Sequence, residues 1–238
     1  MKKWKYNIGI LFFATVLVGL FGFTKHRNHA RKLTNKGTEF VGRENLFVTE
    51  EFVNKMLIET PEKGGFVTKE TLDLKEVERR IEKQKHIEEA EVYLSVSGEV
   101  RAKVKQRTPI ARIFTSVPFY LDAEGFEMPL SSNYAIRVPL VYGYTKKHKT
   151  DLLDLLNYMN NDEFLTKLVV GVYCLPNNDI SFKLRDQNFT VKLGGIDNQE
   201  LKFENLKAFY AKIKKDKIFD AYKYVNLEIA NQVICTKV

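Results

Sequence analysis

The chain has 238 residues, 44% hydrophobic and 29% charged, with a formal net charge of +8 at pH 7. Residues 1–36 hold eight basic side chains and no acid, so 38 − 8 = 30 basic residues remain to balance the 30 acids elsewhere. A neutral main body argues against direct nucleic-acid binding, and a basic, apolar N-terminus indicates contact with a membrane.

The first predicted element is a helix over the uncharged run Ile8–Phe23. At about 1.5 Å per residue, Tyr6–Thr24 would extend about 28 Å, which matches the hydrocarbon core of a bilayer. A cleaved signal peptide or a buried core helix is the alternative, but Phe21–Lys25 offers no small-x-small cleavage site and both flanks are basic. We therefore predict a cytoplasmic tail over 1–7 and an uncleaved transmembrane anchor over 8–24. Charge alone leaves the orientation of the anchor open.

After a basic linker over 25–37, the pattern predicts strand, helix, helix, strand, strand over 38–107. The first strand is expected over 38–43, and Thr49 is placed to cap a helix that ends near 59. The apolar face of this helix is expected to comprise Phe52, Val53, Met56 and Leu57.

A second helix follows the loop Glu62–Gly65. Asp73 and Glu76 match a capping box, and apolar residues then repeat at helical spacing. From Ala90 the period changes to two, which predicts two strands joined by a turn at Ser97-Gly98.

The second of these strands carries a basic stripe on one face, consisting of Arg101, Lys103, Lys105 and Arg107. A solvated strand face, partly balanced by acids on the adjoining strand, is the main reading. A secondary surface for anionic lipid or an acidic partner is the alternative.

Residues 108–238 are predicted to form a mostly antiparallel β domain with two flanking helices. The helices are expected over 151–160 and after the capping-box pair Asp197 and Glu200. The strands are expected over 110–114, 119–122, 138–141, 168–175, 180–185, 189–193, 222–227 and 229–236.

The sequence contains no catalytic, metal-binding or cofactor-binding motif. Asp122 and Glu124 are typical of a turn. Cys174 and Cys235 can form a disulfide if their strands are neighbours, and are otherwise two separate thiols.

Several segments resemble the bacterial cell-division family FtsQ/DivIB, and they follow in the order that family has. Gln106–Arg112 resembles the junction between the POTRA module and the β domain, and Tyr120–Gly125 resembles the "Y-x-D-x-x-G" segment after it. Met128–Leu130 and Pro139–Gly143 continue the order, and Tyr224–Leu227 resembles the closing-strand motif. The chain departs from the family at Glu228-Ile229, where Arg-Tyr is common.

The resemblance implies an α+β fold: a single N-terminal transmembrane helix, a βααββ POTRA module over 38–107 and the β domain. It also implies a non-enzymatic scaffold in the cell inner membrane at the division site, with a cytoplasmic N-terminus and an extracytoplasmic main body. Its implied partners are the small coiled-coil division proteins of the FtsB/DivIC and FtsL type and other membrane proteins of the division complex. A POTRA-type adaptor for envelope assembly or transport, or an anchored envelope enzyme, is the alternative.

We expect the partner to add a strand at the last strand of the sheet, predicted as a single edge over Tyr224–Cys235. An internal, purely structural strand is the alternative, and nearby lysines favour an acidic partner. The predicted partner-binding residues are Tyr224, Val225, Asn226, Leu227, Glu228, Ile229, Gln232, Val233 and Ile234.

Overall fold

The computed structural model describes residues 2–29, 34–42, 47–58, 72–95 and 97–238. They form a mixed α+β structure with two compact units, residues 1–106 and 107–238. The loop predicted at Glu62–Gly65 lies outside the described residues.

The first helix, α1, runs without interruption over Lys2–His29. Its large apolar side chains between Leu11 and Phe23 include consecutive positions, so they are exposed on every side of the helix. Among the residues that the structure describes, no helix combines the length and apolar character that crossing a bilayer requires. Because α1 continues to His29 and the first strand begins at Thr34, much of the predicted linker is regular structure.

The rest of the first unit is a three-stranded sheet with two helices. The central strand β3 pairs in parallel with β1 and antiparallel with β2. The helices contribute the buried side chains Val53, Leu57, Val77 and Ile81 to its core. The elements in chain order are β1 (Thr34–Val41), α2 (Glu50–Ile58), α3 (Leu74–Glu82), β2 (Ile87–Leu94) and β3 (Glu99–Gln106).

Both predicted helix caps of this unit are confirmed. Thr49 Oγ1 accepts a hydrogen bond from the Phe52 N–H at 3.3 Å, and Asp73 Oδ1 accepts one from the Glu76 N–H at 3.2 Å. The predicted apolar face of α2 is wrong at Phe52, whose side chain is exposed. It lies next to Val53, which takes the buried position, and adjacent helix positions point about 100° apart.

The second unit contains a nine-stranded sheet with the order β12-β11-β10-β9-β8-β7-β4-β5-β6. Five of its eight strand pairs are antiparallel, which fits the predicted antiparallel-rich sheet. Its strands are β4 (Pro109–Ile113), β5 (Phe119–Asp122), β6 (Glu127–Pro129), β7 (Leu140–Tyr142), β8 (Val169–Cys174), β9 (Ile180–Leu184), β10 (Thr190–Gly194), β11 (Tyr222–Asn226) and β12 (Ile234–Lys237). Its helices are α4 (Lys149–Asn160), α5 (Glu163–Leu168) and α6 (Gln199–Asp216), with short 3-10 helices at Lys146–His148 and Phe219–Ala221.

The connections place all three helices on one face of this sheet. Parallel β7 and β8 are joined through α4 and α5, and parallel β10 and β11 through α6. Both crossovers start from strands of the same direction and move toward β12, so the right-handed rule puts them on the same side. A row of buried side chains faces these helices, namely Ile113, Val141, Val172, Phe182, Val191 and Val225.

Two details of this unit differ from the sequence prediction. Three helices, rather than two, accompany the sheet within 107–238. The capping box at Asp197 is wrong, because Asn198 occupies the cap position with a φ of +50° and makes no side-chain cap bond. Asp197 Oδ1 instead accepts from Lys202 Nζ at 3.4 Å, and the same buried ammonium donates to Gly195 O at 2.9 Å.

Candidate protein-binding edge

The last two strands form one end of the large sheet. β11 lies between β10 and β12, and β12 is the outermost strand. The prediction of one edge strand over Tyr224–Cys235 is therefore wrong. The chain turns back after β11, because Asn226 Oδ1 accepts from the Glu228 N–H at 2.7 Å and the Gln232 N–H donates to Ile229 O at 3.2 Å. Side-chain to backbone bonds of this kind are typical of turns.

The hydrogen bonds of β11 show which backbone groups of β12 point outward. The Leu227 N–H donates to Lys192 O at 2.8 Å. The backbone N–H and C=O groups of odd-numbered residues in β11 therefore point toward β10, and those of even-numbered residues point toward β12. The even-numbered residues pair with Thr236 and Ile234. Because backbone groups alternate between the two sides of a strand, the N–H and C=O of Cys235 point away from the sheet. Cys235 is thus the residue of β12 at which an added strand would find a free donor and acceptor.

The predicted partner-binding residues are divided between the core, the turn and the edge. Val225 and Leu227 are buried, so they support the sheet and do not offer contact area. Ile234 is 47% exposed and belongs to the edge strand itself. The remaining predicted residues are partly or fully exposed and are Tyr224, Asn226, Glu228, Ile229, Gln232 and Val233.

Basic side chains surround this edge. Lys192 Nζ and Lys223 Nζ lie 4.7 Å and 5.6 Å from the centroid of the Tyr224 ring. Burial raises the pKa of the Cys235 thiol, and the nearby Lys212 ammonium opposes that rise. Lysines near the edge are expected from the sequence, but Lys192 and Lys212 could not be singled out, because they come there only through the pairing of β10 and the packing of α6. The lysine rim, as we call this set, consists of Lys192, Lys212, Lys223 and Lys237.

The predicted basic stripe is charge-balanced where it lies on β3. Arg101, Lys103 and Lys105 point to the exposed side of the small sheet. Lys103 stands in register between Glu39 on β1 and Glu91 on β2. This arrangement favours a solvated face, in which cross-strand pairs of opposite charge stabilise the sheet.

Arg107, the fourth predicted member of the stripe, belongs to a different structure. Arg107 Nη1 donates to Asp122 Oδ2 at 2.8 Å, and its guanidinium carbon lies 4.1 Å from the Phe126 ring centroid. Asp122 Oδ1 accepts from the N–H groups of Glu124 at 3.0 Å and Phe126 at 2.7 Å, around Gly125 with a φ of +81°. The prediction of Arg107 as an exposed surface residue is wrong, because its side chain is only 14% exposed and holds this turn.

The two cysteines do not pair in this structure. Cys174 lies on β8 and Cys235 on β12, with three strands between them. Four strand spacings amount to about 19 Å, far beyond the reach of a disulfide. Burial raises the pKa of the Cys174 thiol to about 11. Within the described ranges, no three His, Cys, Asp or Glu side chains are grouped to hold a metal ion.

In the small sheet, helix side chains accept hydrogen bonds from backbone N–H groups of the outer strands. On β2, the Ala90 N–H donates to Glu82 Oε1 at 3.4 Å and the Val92 N–H donates to Glu78 Oε1 at 2.9 Å, both acceptors from α3. On β1, the Thr38 N–H donates to a carboxylate of α2 at 3.4 Å. Helix side chains thus occupy donors on both outer strands of the small sheet, whereas the N–H of Cys235 points outward from the edge of the large one.

Comparison with known proteins finds one matching family. The family described as FtsQ/DivIB, C-terminal related, matches residues 108–236, which is more than half of the chain. The matched range lies within the second compact unit, residues 107–238, and ends inside β12. No curated protein matches the chain.

Proposed function

The chain belongs to the FtsQ/DivIB family, and we propose that it is a membrane-anchored scaffold that links early and late proteins of the bacterial division complex. Its family makes it a division-related protein, and members of that family are non-enzymatic. Depletion of the protein should block septation and produce filaments, and the full chain should restore division. Normal septation in depleted cells would contradict the proposal.

The proposed binding site is the outer edge of β12. The outward N–H and C=O of Cys235 are the observation that carries this site, since main-chain groups on an edge give an added strand its register. The exposed Ile234 side chain and the lysine rim favour a partner strand with apolar and acidic residues. The proposed partners are the small coiled-coil division proteins of the FtsB/DivIC and FtsL type.

A proline at Cys235 tests this site directly. Cys235→Pro removes the outward N–H but leaves the donors of Ile234 and Thr236, which face β11. We expect the dissociation constant for the extracytoplasmic segment of the FtsB/DivIC-type protein to rise at least about tenfold, which corresponds to about 1.4 kcal/mol. Cys235→Ala is the matched control, because it removes the thiol and keeps the N–H.

The same experiment can contradict the site. Far-UV circular dichroism should show both variants folded, since proline is tolerated on edge strands where its missing N–H would face outward. A folded Cys235→Pro protein that binds within twofold of wild type would place the interface elsewhere.

The proposed anchor is the apolar stretch of α1. Support comes from the large apolar side chains exposed on every side of this helix, including Phe12, Leu17 and Phe21. The full chain should stay in the membrane fraction after an alkaline wash, and Leu17→Lys with Val18→Lys should release it, because charged residues at the bilayer centre are costly. Protease added outside the membrane should cut the main body if it is extracytoplasmic. Release of the wild-type chain by the wash would contradict anchoring.

The proposed recruitment module is the first unit beyond α1. Its order β1-α2-α3-β2-β3 and its three-stranded sheet support a POTRA-like module. Deleting residues 34–106, which spares Arg107 and its contact with Asp122, should abolish localisation to the division site and leave binding at β12 within twofold. Unchanged localisation of the deletion variant would show that the first unit is not needed for recruitment to the division site.

A further inference from the structure

The outermost strand β12 has little structure of its own to hold it in place. It consists of four residues, Ile234–Lys237, and its neighbour in the sheet is β11. Its C-terminal end is tied by the Val238 N–H, which donates to Ala221 O at 3.2 Å. Short edge segments near a chain terminus open more readily than the core of a protein. The position of β12 therefore depends strongly on what fixes the turn at its N-terminal end.

That turn, called here the edge turn, comprises Glu228–Val233. The bond of the Glu228 N–H reaches back only to Asn226, and the bond of the Gln232 N–H lies within the turn. A tie to a different element comes from α6, where Asn205 Nδ2 donates to Ala230 O at 2.6 Å. This bond connects the middle of the edge turn to the helix layer.

The part of α6 that carries Asn205 is a firm support. Phe203 and Leu206, on either side of it in the sequence, are fully buried in the core of the second unit. Lys202, one helical turn before Leu206, is also buried, and its ammonium group donates to Gly195 O in the loop after β10. Packing and a hydrogen bond thus fix this segment, so Asn205 presents its amide at a defined place.

We propose that Asn205 is a positioning residue for the edge strand. Its bond to Ala230 O holds β12 in the paired position, in which the outward N–H and C=O of Cys235 receive an added strand. This inference rests on the proposed function. Because only molecules with a paired β12 can bind, the apparent dissociation constant varies inversely with the fraction of molecules in that state. Asn205 therefore acts on affinity without touching the partner.

A second asparagine in the same unit separates this role from an ordinary structural bond. Asn157 on α4 also donates its side-chain amide to a turn carbonyl, Ala123 O, at 2.9 Å. That turn joins β5 and β6, at the opposite end of the strand order from β12. The two bonds match in chemistry and differ in which strand they support.

The test is Asn205→Asp in the full chain, held in nanodiscs. The substitution replaces the amide donor with a carboxylate oxygen beside Ala230 O, so the contact becomes repulsive. In the free protein, the amides of Ile234 and Thr236, which face β11, should lose protection from hydrogen exchange. The dissociation constant for the extracytoplasmic segment of the FtsB/DivIC-type protein should rise about tenfold.

The kinetics and the control make the test specific. The rise should lie in the association rate, with the dissociation rate within twofold of wild type, because a bound partner strand holds β12 in place. Asn205→Ala, which loses the bond without the repulsion, should change both readouts in the same direction by about twofold to threefold. Asn157→Asp is the matched control and should leave the protection of β12 and the dissociation constant within twofold of wild type.

The outcomes separate this inference from the proposed function. Unchanged protection of Ile234 and Thr236 in Asn205→Asp would overturn the inference, and so would a loss of protection that extends to β8–β10. Wild-type binding in Asn205→Asp, together with lost binding in Cys235→Pro, would overturn the positioning role and leave the edge site intact. Wild-type binding in a folded Cys235→Pro protein would overturn the edge site and the inference with it.

Discussion

The turn held by Asp122 makes a quantitative prediction about the stability of the second unit. Asp122 is 5% exposed, and its carboxylate accepts from Arg107 Nη1 and from the N–H groups of Glu124 and Phe126. Asp122→Ala removes all three acceptor contacts and leaves a mostly buried guanidinium without its main counter-charge. Removing one partner of a buried ion pair costs about 3–5 kcal/mol, so we expect a loss in that range.

Two further substitutions separate the contributions to this loss. Asp122→Asn keeps an oxygen for the two N–H groups and removes the charge, so it should cost about 1.5–3 kcal/mol. Glu124→Gln is the control, because Glu124 is 73% exposed at 3.4 Å from Arg107 Nη1 and should cost about 0.5 kcal/mol or less.

The assay is urea-dependent hydrogen exchange of amides in β8–β10, which reports the free energy of unfolding of the second unit by itself. The reasoning is refuted if Asp122→Ala costs no more than Glu124→Gln.

Three other properties follow from the structure. At pH 8 a thiol with a pKa of about 11 has about one thiolate per thousand molecules, so Cys174 should react with iodoacetamide far more slowly than an unfolded-state thiol. Mass spectrometry should find no disulfide between Cys174 and Cys235, and a detected disulfide would contradict the strand order. Desolvation raises the pKa of Asp162, but hydrogen bonds from the Lys207 ammonium and the Leu165 N–H outweigh it and leave the pKa lowered. The ionised carboxylate therefore stabilises the fold above its unfolded-state pKa of about 4, and this stabilisation is lost as the pH falls through the lower folded-state pKa. Urea denaturation between pH 5 and pH 2 should show a smaller loss of stability in Asp162→Ala than in wild type. Gly143 has a φ of +70°, and a Cβ there would lie 2.2 Å from a backbone oxygen, so Gly143→Ala should cost more than about 2 kcal/mol of stability. Gly125→Ala should cost only about 1 kcal/mol, because its nearest neighbour is a side-chain carbon at 3.1 Å. Equal shifts in melting temperature for the two variants would contradict this comparison.

Local features of the fold were predictable from the sequence. The caps at Thr49 and Asp73, and the strands that flank the turns in the second unit, depend on residues a few positions apart. Hydrophobic periodicity reports such features because it reflects burial of one face of an element. The resemblance to FtsQ/DivIB, drawn from short ordered motifs, is confirmed by the family match over 108–236.

The position of the edge was not predictable in the same way. The pattern predicts strands over 222–227 and 229–236, but the second strand begins only at Ile234, because hydrogen bonds at Glu228 and Gln232 form a turn after β11. Whether β11 is internal depends on its pairing with β10, which is separated from it by the whole of α6. Arg107 was placed in the basic stripe for a related reason, since its contact with Asp122 forms only when β4 and β5 pair.

The glutamates of α3 that accept hydrogen bonds from β2 have a consequence for crowding. Copies of this chain held at one septum would meet repeatedly, and an outer strand with free donors would allow them to join side by side into sheets. Glu78 and Glu82 occupy two of those donors, and a carboxylate also repels a similar neighbour. The first unit can therefore be concentrated at a ring of division proteins without polymerising through these two donors of β2.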